Sequence, residues 1–205
     1  MKIFVGISGA SGAIYGGRLL RALTGDVHEV SVCFSDAAVE VVRHEEFDAG
    51  LELLGAPAEQ VLEAFFSRHG ISPRRLEIVL PGNIGHAFSS GSALADAAVV
   101  CPCSMSTIAA IASGISGNLI QRVADVMLKE SRPLVVVPRE TPLNEIQLRN
   151  LYRVKKAGAQ IVAAMPAFYH NPQTVEDLAD FIVGKVLDVL GVDHQLFRRW
   201  EGGQR

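Results

Sequence analysis

The stretch Val137-Pro-Arg-Glu-Thr-Pro-Leu-Asn-Glu145 sets two opposite charges, Arg139 and Glu140, directly after the apolar run Leu134 to Val137 and fences them between Pro138 and Pro142. A strand end held by rigid prolines is a poor place for idle charge. The pair suits a site where Arg139 binds a phosphate and Glu140 handles a proton. Three other segments carry matching chemistry. Gly6-Ile-Ser-Gly9-Ala10-Ser11-Gly12 is a glycine-rich turn entering a helix, whose free amides and dipole favour phosphate. It is not Gly-x-Gly-x-x-Gly, so the dinucleotide fingerprint is absent. Ser35 opens a second helix and Ser104-Met105-Ser106-Thr107 a third. Each alone is an ordinary N-cap. Together they suit a phosphorylated cofactor held by amides and hydroxyls. Ser89-Ser90-Gly91-Ser92 adds a flexible polar loop. Arg122 and Lys129 flank a helix in "NLIQRVADVMLKE", and Lys185 lies on the last helix. Singly, these cations read as solvated surface charge.

The elements that must position these groups are legible. Runs rich in Val and Ile recur at Lys2 to Ser8, Glu29 to Phe34, Leu76 to Leu80, Ala97 to Cys101, Leu134 to Val137 and Gln160 to Ala164, with helical patterns between most of them. Several are continuously apolar, as parallel strands covered on both faces require. The expectation is one α/β domain spanning residues 1–205, a doubly wound parallel sheet with ligands beyond the carboxyl ends of its strands. Asn144 caps a helix that turns basic through Arg153, Lys155 and Lys156 and stops at Gly158; Thr174 begins a capping box, and Gly191 closes the last helix. In that helix Val175, Leu178, Phe181, Ile182, Val186, Leu187 and Leu190 form a core-facing stripe. Glu45 to Arg75 has weak pattern and reads as helical. The tail, 192–205, turns too polar for core from Leu196 yet holds the only Trp, Trp200, which suits an anchor at a subunit interface.

Composition narrows the classes. At 205 residues, 49% hydrophobic and mean hydropathy +0.26, the chain can bury one good core. A net charge of −3 without a basic run interleaved with aromatics argues against nucleic acid. No run nears the roughly 20 apolar residues of a membrane span, and the start lacks a signal-like apolar region. A cytoplasmic location is expected. Cys33, Cys101 and Cys103 read as small buried residues, and neither they nor the six histidines show metal-ligand spacing, so no metal is expected.

The segments "GISGASGAIYGGRLL", "SSGS", "CPCSMSTIAAIASG", "NLIQRVADVMLKESRPLVVVPRETPL" and "AMPAFYHNPQTVEDLADFIVGKVLD" resemble the flavin prenyltransferases of the UbiX family, over Lys2 to Trp200. The resemblance implies a flavodoxin-like or Rossmann-like three-layer α/β/α fold, a homododecamer, and FMN as the reduced acceptor of a dimethylallyl group from dimethylallyl phosphate. Bonds would form at flavin N5 and C6 without metal, and a UbiD-family decarboxylase would receive the prenylated FMN. It places Gly9, Ala10, Ser11, Ser35, Ser104, Met105, Ser106, Thr107 and Arg139 around FMN. It places Ser90, Arg122, Lys129, Glu140, Tyr169 and Lys185 around the prenyl phosphate. Glu45, with Ser11, matches a proton-handling carboxylate, and Trp200 an aromatic beside the prenyl chain. Relatives commonly carry Arg where this chain has Lys185, which lacks the bidentate fork. Two alternatives stand beside it: an FMN-dependent cysteine decarboxylase of the same fold, whose Pro-x-Met-Asn motif is not seen here, and, from a different class, a flavin-binding protein without transfer activity.

Overall fold

The computed structural model describes residues 1–205 apart from 26–27, 48–52, 93–94 and 201–205. Six parallel strands form one sheet: β1 Lys2–Ile7, β2 Glu29–Phe34, β3 Leu76–Ile78, β4 Ala97–Cys103, β5 Leu134–Pro138 and β6 Gln160–Ile161, in the order β3-β2-β1-β4-β5-β6. This is the doubly wound order, in which the winding reverses between β1 and β4 and opens a crevice at their carboxyl ends.

Strands β4 and β5 are buried end to end, and β1 and β2 in all but their first residue, because helices cover both faces. Along β1 the side chains of Ile3, Val5 and Ile7 enter a cluster with α1 (Ala13–Gly25), α2 (Asp36–Glu46), α3 (Ala58–Arg68) and α7 (Val175–Leu190). Phe4 points the other way, into a cluster with α4 (Met105–Ala112), α5 (Leu119–Lys129) and Val154 of α6 (Glu145–Lys156). The period of two thus sorts successive residues to opposite sides of the sheet.

The helix punctuation matches expectation. Asn144 and Thr174 each form a complete capping box, and Gly191 ends α7 in the left-handed region at φ 70°. Several expectations need correction. Arg122 and Lys129 do not flank α5; both lie within it, Lys129 as its last residue. The weak segment from Glu45 is helical as expected, but in separate pieces. It finishes α2, forms α3 and ends in a 3₁₀ turn at Pro73–Arg75, with residues 48–52 outside the described set. The outer strands β3 and β6 are shorter than their apolar runs because they are sheet edges, paired on one side only. Val175 starts α7 but is 65% exposed, so the buried stripe begins later and includes Val183. Leu196 and Phe197, expected outside the core, pack against it.

Arg18 ties α1 to α7: Nε donates to Asp180 Oδ1 at 2.6 Å and Nη2 to Oδ2, a two-point fork in a largely buried setting. The Asp180 carboxylate in turn pushes the guanidinium pKa up. Arg18→Ala leaves that carboxylate without its cation. We expect a loss of about 2 to 3 kcal/mol, less than for a fully buried pair, or roughly 5 to 10 °C in Tm by calorimetry.

Candidate active site

The crevice residues come from four element ends. Ser8, at the end of β1, accepts from Ser104 N at 2.8 Å and donates to Pro102 O at 3.2 Å, tying β1 to β4 where the winding reverses. Ser35 caps α2 by accepting from Ala38 N, and Ser104 caps α4 by accepting from Thr107 N. The Ser104 hydroxyl lies 3.0 Å from both Ser106 Oγ and Thr107 Oγ1. Three hydroxyls therefore cluster at one helix start. The Met105 side chain is buried in the core, so only its main chain is available there. Gly9 is needed for space: a Cβ there would stand 2.5 Å from that of Ala37, so any side chain would push α2 away. Ala10 is buried beside it.

The start of α1 departs from expectation. Its amides at Gly12 and Ala13 donate to Glu45 Oε2 at 2.7 and 2.9 Å. Those donors already have an anion, supplied by α2, instead of being open to a ligand phosphate. The arrangement fixes the Glu45 carboxylate one residue from Ser11, as a shared proton-handling task would need. Arg139, just past β5, donates from Nε to Ser11 O at 3.1 Å, and among the described residues no carboxylate lies within ion-pair distance of it. Burial pushes the Tyr15 phenol up; Cys101 and Glu45 add to the rise and Arg139 opposes it. Tyr15 thus lies within electrostatic reach of both Glu45 and Arg139. Glu140 accepts from Thr141 N at 3.0 Å, a local bond that leaves its second oxygen free for another partner.

This edge fits the phosphorylated flavin. It offers a hydroxyl cluster, a close-packed glycine and a guanidinium without a carboxylate, and nothing in the donor set calls for metal. The three cysteines are buried and free; burial raises Cys33 to about 12 and raises Cys101 and Cys103 further. They are inert packing groups, as the sequence suggests.

The other site residues form two groups elsewhere. Arg122 Nε donates to Ser89 O at 3.2 Å, and a Cβ on Gly91 would stand 2.7 Å from Lys129 Nζ, so Arg122, Lys129 and the Ser90 loop are neighbours. Lys129 also pairs with Glu130, whose carboxyl it holds below the usual range. Lys129 precedes β5 by a short turn and so stands at the amino edge of the sheet. Arg139 stands at the opposite edge, roughly 15 Å away along the strand. The third group is aromatic. Tyr169 meets Trp200 edge-on at 5.6 Å and Phe181 at 5.9 Å, and Lys185 Nζ lies 5.7 Å from the Phe181 ring. This group sits on α7, across the sheet from α5. One subunit therefore does not bring Ser90, Arg122 and Lys129 together with Tyr169, Lys185 and Trp200.

Sequence reasoning missed Ser8, whose position between a strand and Gly9 was its only signal. It gave no role to Tyr15 and took His170 only as part of a family-specific turn; the His170 ring nitrogens are buried without a hydrogen-bond partner.

Comparison with known proteins gives the arrangement its family. The Flavoprotein family profile matches residues 1–187. The chain is 44% identical over 200 residues to "Flavin prenyltransferase UbiX" of Methanothermobacter thermautotrophicus, covering 98% of this chain and 95% of that one. Among solved structures, AnUbiX (PadA1) in complex with FMN and dimethylallyl pyrophosphate superposes with a TM-score of 0.85 at 39% identity, over 99% of this chain and 98% of the other. A dodecameric FMN-dependent UbiX-like decarboxylase from Escherichia coli O157:H7 gives 0.83 at 37% identity, over 98% of this chain and all of the other. The FMN-dependent cysteine decarboxylase TvaF, at 16% identity and a TM-score of 0.55, shares the fold alone. A carboxylate-free arginine and a hydroxyl-lined helix start at the reversal point, in a chain this close to those relatives, settle its membership: the protein belongs to the flavin prenyltransferase UbiX family.

Proposed function

We propose that the protein transfers a dimethylallyl group from dimethylallyl phosphate, or the diphosphate, to reduced FMN, and that a UbiD-family decarboxylase receives the prenylated flavin. The observation that supports this most directly is Arg139 beside Glu140 at the hydroxyl-lined carboxyl edge, with a cationic cluster on a separate surface of the same subunit. Gly9, Ala10, Ser11, Ser35, Ser104 to Thr107 and Arg139 hold FMN, which supplies the nucleophilic N5 and C6 atoms. The donor's carbon–oxygen bond breaks as the prenyl group leaves, and inorganic phosphate departs.

A monophosphate leaves readily only if fixed donors meet its growing charge. Ser90, Arg122 and Lys129 of one subunit meet it from one side, Tyr169 and Lys185 from another. Glu140 delivers a proton to the departing phosphate. Glu45, assisted by the Ser11 hydroxyl, takes up the proton released on ring closure. Trp200 offers an aromatic face to developing positive charge and keeps water from it.

Assembly completes the site. Ile115, Ile146, Leu148, Tyr152, Met165 and Phe168 are large apolar side chains exposed on the single subunit, and their burial between copies of this chain is part of the proposal. A homododecamer is the assembly proposed, by likeness to the E. coli O157:H7 protein. No helix among the described residues is long and apolar enough to cross a membrane. The test is anaerobic: reduced FMN and dimethylallyl phosphate, then the diphosphate, are incubated with FMN-loaded protein and the flavin is weighed by mass spectrometry. We expect a flavin heavier by one prenyl unit. Unchanged FMN with both donors would defeat the proposal.

A further inference from the structure

One carboxylate holds the Trp200 tail to α7. Asp188, in the last turn of that helix, faces three basic side chains. Arg199 makes a fork, Nη2 at 2.7 Å from Oδ1 and Nη1 at 3.3 Å from Oδ2. His194 Nε2 lies 3.1 Å from Oδ1, and Lys185 Nζ 3.4 Å from Oδ2. Two of the three belong to the tail; the third is the α7 cation assigned to the donor phosphate.

The groove beneath the tail is shaped for it. The His194 side chain is only 4% exposed, and its ring lies 5.4 Å from that of Phe197. Both cross α7 at Gly184, where a Cβ would collide with Phe197 and stand 2.6 Å from His194 Cε1. Lys185 Nζ is 5.1 Å from the Phe197 centroid, and Arg199 Cζ 5.9 Å, so two cations lie against the tail's aromatic ring. The next residue after Arg199 is Trp200, edge-on to Tyr169. The Arg199 guanidinium also holds the Asp188 carboxyl below the usual carboxylate range, so the fork is ionic at neutral pH.

We propose that Asp188 is a positioning residue for the donor half of the site: its carboxylate latches the tail onto α7, seats Trp200 against Tyr169 and holds the Lys185 ammonium over Phe197. The inference rests on the assignment of Lys185, Tyr169 and Trp200 to the prenyl donor. It also gives Lys185 a role that a free surface lysine lacks. When phosphate draws Lys185 away, Arg199 and His194 keep Asp188 partnered, so the cation can change partner without stranding the carboxylate.

Trp200 is the only tryptophan in the chain, so its emission reports the tail directly. In the FMN-loaded assembly, Asp188→Asn removes charge and keeps shape. We expect acrylamide quenching of Trp200 to rise about threefold and KM for dimethylallyl phosphate about tenfold, with FMN affinity and kcat within about twofold. Asp188→Glu should recover part of both. Arg199→Lys breaks the fork from the tail side without altering α7, and should reproduce the quenching change even if Asp188→Asn folds poorly. Parental quenching in folded Asp188→Asn or in Arg199→Lys overturns the latch. A released tail with parental KM overturns the positioning role. Trp200→Phe and Lys185→Ala test the donor assignment separately: parental turnover in both would sink that assignment while leaving the quenching result standing.

Discussion

Glu140→Gln is expected to keep its FMN and to slow prenyl transfer by roughly 10² to 10⁴, the usual value of a positioned proton donor or acceptor. Glutamine preserves the shape and can still accept the bond that Thr141 N makes to the Glu140 side chain. The turn after β5 should therefore hold, and Arg139 with it. What is lost is the proton for the departing phosphate. The hydroxyls at Ser35, Ser104 and Thr107 lie at the ends of other strands, so flavin absorbance of the purified variant should match the parent. Single-turnover kinetics with reduced flavin check the rate. A parental rate would remove Glu140 from the chemistry and leave its charge as a partner for neighbouring cations only.

The second large effect is restoration by mixing. Lys129→Ala and Lys185→Ala should each lose about a hundredfold or more in kcat/KM, because each takes a cation from the leaving phosphate. Lys129 stands at the amino edge of the sheet on the α5 side, and Lys185 on α7 across the sheet. If the two meet one phosphate, they come from different subunits. Co-expression of the two variants should then rebuild about a quarter of the sites, each drawing its intact lysines from opposite parents. Activity of the mixed assembly, measured against both pure variants, checks this. A mixture no more active than its parents would show that both lysines act within one subunit, or that one of them does not act.

The fold was largely legible because its signals are local. The run Leu134 to Val137 is apolar along its length and Lys2 to Ser8 nearly so between its polar ends, as parallel strands covered on both faces require, while Glu29 to Phe34 is marked by its Val and Phe in spite of Ser31. Asn144, Thr174 and Gly191 mark helix ends by chemistry acting within four residues. What sequence alone obscured depends on distant partners. Nothing near Gly12 says that its amide is taken by Glu45, 33 residues on, because the bond exists only once α1 and α2 pack side by side. The Asp188 cluster is equally hidden, since the His194 and Arg199 side chains find that carboxylate only after the tail folds back over Gly184. The candidate site was legible as a set of residue types, but its division over three surfaces follows from which sheet face each helix covers.

The Glu45 bond to Gly12 and Ala13 gives the chain a built-in tenant for the positive start of α1. In the proposed site an incoming phosphorylated molecule would find that berth taken and would meet instead the guanidinium of Arg139 and the hydroxyls around Ser104. Ligand orientation in the proposed site would then be governed partly by exclusion: a seat filled from within decides which end of a guest can settle where.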